Sequence, residues 1–171
     1  MPRPRLTFDP LAEAQRQWAE HYGPGEAMVA ATSIMRAQQI VLGAVDDVLR
    51  PMGLTFARWE ALVLLSFTKK GEFPLGRMGE RLMVHPTSVT NTIDRLEEAK
   101  LVERVPHPTD GRATLARITP KGRKLCAQAT SAVEATDYGL TSLNAEDRAG
   151  LFSVIEKLRR ASGDWDPGPS Q

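Results

Sequence analysis

The sequence predicts a mainly α-helical chain that makes one small β-hairpin. Three observations carry this. Apolar residues recur at three- and four-residue spacing through most of the 171 positions, and prolines stand where such runs begin or end. One stretch, "VERVPHPTDGRATLARIT" (102–119), breaks the pattern with two short alternating runs around a loop of Pro106, Pro108 and Gly111. With 42% hydrophobic and 25% charged residues, the length fits one domain with a real core.

The first 26 residues read as an arm, with Leu11, Trp18 and Tyr22 at near-helical spacing before the break at Gly23-Pro24-Gly25. Residues 26–50 follow as a long helix that stops at Arg50-Pro51, with Gly53 just beyond. Its apolar residues, among them Ile34, Met35, Val41, Leu42, Val45 and Leu49, are spread around the helix and predict burial on more than one side. Thr55 is placed to cap the next helix, whose Trp59, Leu62, Val63 and Leu65 form an apolar face before Lys69-Lys70-Gly71 ends it. Phe73-Pro74 leaves room for a very short strand. A short helix over about residues 75–82 comes next, and His85-Pro86 opens another with proline in its first turn.

In that helix Val89, Ile93 and Leu96 fall at i, i+4 and i+7 and must face inward. The opposite face shows Thr87, Asn91 and Asp94, flanked by Thr90 and Arg95, with Ser88 near the start. Short hydroxyl and amide side chains near a helix N-terminus approach base edges closely, and the free N–H groups there favour phosphate. Two short helices with a tight link and a polar outer face make a helix-turn-helix, although many helical proteins carry such a pair without touching DNA.

The hairpin separates the two cases. Residues 101–105 follow the helix directly and 113–118 return after the loop, so they pair antiparallel. A two-stranded hairpin is marginal alone and has to lean on the helix pair, which makes the unit a winged helix. Its tip would reach a neighbouring minor groove, where the guanidinium of Arg112 meets strong negative potential. Asp110 would either hold Arg112 by a charge-assisted hydrogen bond or brace the turn. The plain alternative is turn chemistry with a solvent-facing arginine.

Charge is distributed to match. The net value is only +1, yet residues 69–124 hold 12 Lys+Arg against 7 Asp+Glu, while both flanks carry slightly more acid than base. Local charge sets the field a polyanion meets. Thr119-Pro120 starts a further helix, read as running over 121–141. Asn144 with Asp147 caps another, in which Leu151, Val154, Ile155 and Leu158 form an apolar stripe. Stripes at both ends of the chain call for a partner. The tail, residues 163–171, reads as disordered.

At these residues the sequence resembles the MarR family of bacterial transcriptional regulators, over roughly 27–160. The matching stretches are "RWEALVLL" (58–65), "TSVTNTIDRLEEAKLVER" (87–104) and "HPTDGRATLARITPKG" (107–122), the last being the most specific. The resemblance implies a winged helix-turn-helix lobe over 55–119 and dimerisation helices over 27–50 and 120–162. It also implies a homodimer on a pseudo-palindromic double-stranded DNA operator, a repressor released by a small-molecule effector. Carried over by position, Thr87, Ser88, Thr90, Asn91 and Arg95 would be recognition-helix contacts and Arg112 the wing contact. His85 departs from the pattern, standing where Ser, Asp or Asn is the usual cap, and the arm of 1–26 is longer than a minimal member needs.

Other classes fare poorly. "GEFPLGR" (71–77) imitates a phosphate loop but has Arg77 in place of the lysine, and His21, His85 and His107 lack metal-ligand spacing. No enzyme, metal or cofactor is expected. Cys126 is alone, which excludes an internal disulfide and leaves a redox sensor as an alternative, with an inert buried thiol the simpler reading. Trp18, His21, Tyr22, Met35 and Trp59 would line an effector pocket between the dimer helices and the DNA-binding lobe, or belong to the core. The N-terminus lacks the apolar stretch of a signal peptide and the run from Ala61 to Leu65 is too short to cross a bilayer, so a cytoplasmic location without membrane is the expectation. A winged helix used only for protein contacts is the remaining alternative.

Overall fold

The structure is a computed structural model and describes residues 6–82, 84–110, 112–165 and 168. Short polar side chains set where the helices begin. Asp9 accepts from the Leu11 amide at 2.9 Å to start α1 (Pro10–Tyr22). Thr55 starts α3 (Phe56–Ser66), Thr119 accepts from Gly122 at 3.0 Å to start α6 (Pro120–Glu134), and Asn144 and Asp147 form a reciprocal capping box on α7 (Ala145–Ala161). Between α1 and α3 runs α2 (Glu26–Leu49), continued by a 3₁₀ turn over Arg50–Met52.

After α3 come β1 (Glu72–Pro74), α4 (Leu75–Leu82), α5 (Pro86–Glu98), β2 (Val102–Pro106) and β3 (Thr114–Ile118). The sheet is not the two-stranded hairpin read from the sequence but has a third strand. β1 adds to the free edge of β3, giving an antiparallel sheet in the order β1-β3-β2, with Phe73 opposite Ala116 and Arg104 opposite the same residue from the other side. Gly71, at φ 72, turns the chain into β1, and its carbonyl accepts from Ile118 at 2.8 Å. A Cβ there would meet the Ile118 side chain at 2.8 Å, so the close approach requires glycine. One edge of the wing is thereby paired rather than open.

The core lies between the end of α2, α3, α4, the inner face of α5, the sheet and α6, around Leu49, Leu62, Leu65, Met78, Ile93 and Leu96. Of α2 only Val45 and Leu49 are buried, whereas Ile34, Met35, Ile40 and Leu42 stay exposed, so burial on several sides does not occur within one chain. By length and composition the stretch Glu26–Met52 would suffice to cross a membrane, unlike the short run at 61–65.

The helix expected over 121–141 stops at Glu134. Asp137 and Tyr138 take positive φ in a 3₁₀ turn ending at Gly139, where the chain passes so close to Ala44 of α2 that a Cβ on Gly139 would sit 2.6 Å from it. From there Arg148 ties the start of α7 back to Asp137 at 2.8 Å and to the Leu140 and Leu143 carbonyls. Beyond that tether no residue of α7 is buried, and Leu151, Phe152, Val154 and Leu158 are exposed. The first part of the tail read as disordered is held: Arg159 pairs with Asp164 at 2.6 Å and stacks 5.0 Å over the Trp165 ring. Apart from Gly168, the rest of that expectation lies outside the described residues.

Candidate nucleic-acid interface

Recognition of a duplex needs one polar helix face held out from the core, and α5 supplies it. Val89, Ile93 and Leu96 are buried against α3, α4 and the sheet, while Thr87, Ser88, Thr90, Asn91, Asp94 and Arg95 are exposed. His85, the unusual residue at the helix start, is the cap: its Nδ1 accepts from the Thr87 amide at 3.3 Å. An imidazole nitrogen replaces the usual oxygen, and the helix begins where the sequence places it. Arg95 is paired with Glu98 at 3.0 Å on the exposed surface, a contact that phosphate would compete for. Behind α5 is a small void of ~30 Å³, with Ser88 and Thr92 of α5 and Glu60 of α3 at its rim. Burial holds the Glu60 carboxyl above its usual value.

At the wing tip Asp110 braces the turn. Its Oδ1 accepts from the Arg112 amide at 3.0 Å and its carbonyl from Ala113 at 3.0 Å, while its own amide donates to His107 Nδ1 at 3.2 Å. These are contacts of the turn backbone, the geometry of a brace. The Arg112 side chain is exposed. Gly111 lies outside the described residues. Between the tip and the β1–α4 corner runs a groove lined by Arg77, His107 and Arg112 among others. Arg77, which the sequence offered only as a flaw in a phosphate-loop imitation, belongs to this cationic groove; its one-turn spacing to Glu80, paired at 3.8 Å, gave no hint of it.

A second residue was not legible as functional. Arg104, on β2, donates to Asp94 of α5 at 2.5 Å and to Glu97, and its backbone amide donates to Glu97 at 3.1 Å. Partial burial works against the charge, but the hydrogen bonds to Asp94 and Glu97 more than offset it and hold the guanidinium above its ordinary value. Arg117 on β3 bridges Glu72 of β1 at 2.7 Å and Glu103 of β2 at 3.3 Å, locking the sheet in the same manner.

The five residues expected to share an effector pocket are not brought together within the chain. Trp18, His21 and Tyr22 cluster at the end of α1, Met35 is exposed on α2, and Trp59 is buried beside Phe56 and Tyr138. Periodicity shows that the arm is helical but not where that helix docks. Instead Trp59 lines an open groove of ~590 Å³ between α3 and α6, together with Phe67, Arg123, Thr130 and Tyr138. Trp59 Nε1 donates to Thr130 there at 3.1 Å. Cys126 lies beneath it, buried, with its thiol pushed up chiefly by burial, against weaker pulls from Thr130, Ser66 and Arg123. That is the setting of a protonated, inert thiol.

Residues 52–113 match the sequence model of the MarR family. The solved structure of Sco5413, a MarR family transcriptional regulator from Streptomyces coelicolor, is 56% identical, with a TM-score of 0.76 over 82% of this chain and 97% of that one. The chain belongs to the MarR family. HTH-type transcriptional regulator MhqR from Bacillus subtilis is 40% identical over 63 residues, 37% of this chain and 43% of that regulator, so this match spans less than half of the relative. A cysteine-to-serine mutant of Escherichia coli MarR, solved with operator DNA, shares the fold at 24% identity and a TM-score of 0.71, over 78% of this chain and 96% of that one. As a MarR family member the protein is a DNA-binding transcriptional regulator built on a winged helix-turn-helix.

Proposed function

We propose that two copies of the protein clamp one pseudo-palindromic duplex and repress the promoter that contains it. The observation that carries this reading is the division of the surface. A polar helix face and an exposed arginine at a wing tip stand on one lobe, while apolar side chains of α2 and α7 lie uncovered on the helices outside it. Two-fold pairing through those helices would cover the apolar side chains and present two α5 helices to successive major grooves. Thr87, Ser88, Thr90 and Asn91 are assigned to base edges and nearby phosphates, Arg95 to phosphate after release from Glu98, and Arg112 to the minor groove. Asp110 orients the turn that carries Arg112. No catalytic reaction is assigned, and the place of action is the cytoplasm, with the chromosome.

For the effector, the α3–α6 groove replaces the pocket read from the sequence. Its aromatic walls, Trp59, Phe67 and Tyr138, suit a small aromatic ligand. A coupling of ~1–3 kcal/mol between that groove and the operator would release binding ~5- to 150-fold.

The test is a titration of purified protein against its own upstream DNA, beside a scrambled duplex, at several salt concentrations. A tighter complex at one site with two protomers per site, and log K falling linearly with log[salt], is the expected result. Equal weak binding to both duplexes, and to a library of genomic sites, would remove the reading.

A further inference from the structure

The second half of α5 carries three carboxylates, Asp94, Glu97 and Glu98, on or beside the face assigned to a polyphosphate. Glu98 is taken up by Arg95, one turn back. Asp94 and Glu97 are taken up by Arg104, which comes from a different element, the root of the wing.

We infer that Arg104 is a positioning residue that locks the recognition helix to the wing, so that the two engage DNA as one unit of fixed angle; this rests on the DNA-binding reading above. Leu96, Leu101 and Val102 already pack the end of α5 onto the start of β2. Apolar packing is non-directional, however, and a single packed joint tolerates tilt. The planar guanidinium adds direction. It reaches Asp94 and Glu97, one turn apart on α5, while the backbone of the same residue is fixed both to Glu97 and within the strand ladder opposite Ala116.

The lever is long enough to matter. The wing tip, at Asp110, lies six residues beyond Arg104, at most ~20 Å away at a strand rise of ~3.3 Å per residue. A tilt of ~10° at the root would move the tip by up to ~3 Å, more than a hydrogen bond tolerates. Loss of the lock would then cost the second groove contact once the first is made. The surrounding bridges of Arg117 to Glu72 and Glu103 keep the sheet itself rigid, so motion is concentrated at the α5–β2 joint.

Asp94→Asn with Glu97→Gln discriminates this from simple electrostatics. Removing two negative charges from a DNA-facing surface, and freeing Arg104 for phosphate, should tighten binding to every duplex if charge alone matters. The positioning role requires the opposite: a loss of about tenfold at the specific site, with little change on scrambled DNA. The decisive readout is the coupling to Arg112→Ala. That change is expected to cost at least about fivefold in the parent but less than about threefold in the D94N/E97Q background, because an unlocked wing no longer contributes. Arg104→Lys, which keeps the charge and stem but cannot fork, should lose the same coupling, and thermal melts confirm that each variant is folded. Tighter binding by D94N/E97Q, or an undiminished cost of R112A in both backgrounds, overturns the inference while leaving DNA binding intact. A parent that shows no site preference, or that is indifferent to R112A, overturns the DNA-binding assignment first and the positioning role with it.

Discussion

Gly122→Ala is a small change with a large expected effect, and the structure sets its sign. Gly122 lies in the first turn of α6, buried against the end of α5 and the wing root. A Cβ built on it falls 2.1 Å from the Leu101 carbonyl oxygen and 2.9 Å from the Ile118 side chain. The carbonyl is not a movable end. It accepts from the Thr119 amide at 3.0 Å and from Thr119 Oγ1 at 3.2 Å, so retreat by the ångström needed would strain both bonds. Overpacking of this kind costs ~1–3 kcal/mol. Weakening two hydrogen bonds adds ~1 kcal/mol. Helix propensity returns at most ~1 kcal/mol, less in a first turn. The net expectation is a loss of ~2–3 kcal/mol, or ~4–12 °C in Tm for a chain of this size. Gly150→Ala in α7 supplies the control, since a Cβ there meets nothing within 4 Å and propensity alone should stabilise by ~0.5–1 kcal/mol. Differential scanning calorimetry at one protein concentration reads both. A G122A variant that melts at or above the parent would refute the claim that the α5–β2 joint and α6 are in rigid backbone contact.

The other expectations are simpler. Arg112→Ala should weaken the operator complex by ~1–3 kcal/mol in a binding titration without moving Tm, and Asn91→Ala should relax base preference in a site-selection experiment. For Glu60, burial raises the folded value above the unfolded one, so protonation favours folding; stability from this group is full below the unfolded value of 4.5 and is lost as pH rises through the folded value. Glu60→Gln should therefore gain Tm near pH 7 and flatten the pH–Tm curve above pH 4.5. Cys126, buried with its thiol pushed up, should react with a disulfide reagent far more slowly than in denaturant, and Cys126→Ser should leave operator binding insensitive to mild oxidant, as in the parent.

Helix starts were legible because capping is local chemistry. Thr55, Thr119 and Asn144 act within three residues of themselves, and even the atypical His85 caps through its own ring. Features that failed depend on residues far away. β1 pairs with a strand more than 40 positions later, and α6 ends at Glu134 because the chain meets Ala44 of another helix at Gly139. The same division runs through the site. The outward face of α5 follows from helix period alone, whereas Arg104 reads as one residue of an alternating strand until the fold sets it beside Asp94. The effector residues are dispersed within one chain for a related reason: aromatic character marks a residue for burial or contact but does not say with which partner.

The uncovered apolar side chains of α2 pose a choice between lipid and protein, and the polar residues between them decide it. Arg36, Gln38 and Gln39 sit near the middle of the stretch Glu26–Met52. An arginine at the centre of a membrane span costs at least ~2.5 kcal/mol. The other end of the stretch is committed elsewhere: Val45 and Leu49 are part of the lobe's core, and Asp46 accepts from the Phe56 amide at 2.8 Å. A helix built into a folded lobe at one end and broken by charge in the middle is ill suited to a bilayer. It is well suited to a second protein surface that leaves its polar residues at the rim. α7, with its own exposed Phe152, Val154 and Leu158, presents the same need, and the turn leading into it touches α2 at Ala44. Under the proposed dimer these helices cover one another's counterparts, and their packing sets the distance between the two α5 helices. An effector in the α3–α6 groove then needs no contact with DNA, because a small shift of α6 against α2 changes the operator spacing that fits.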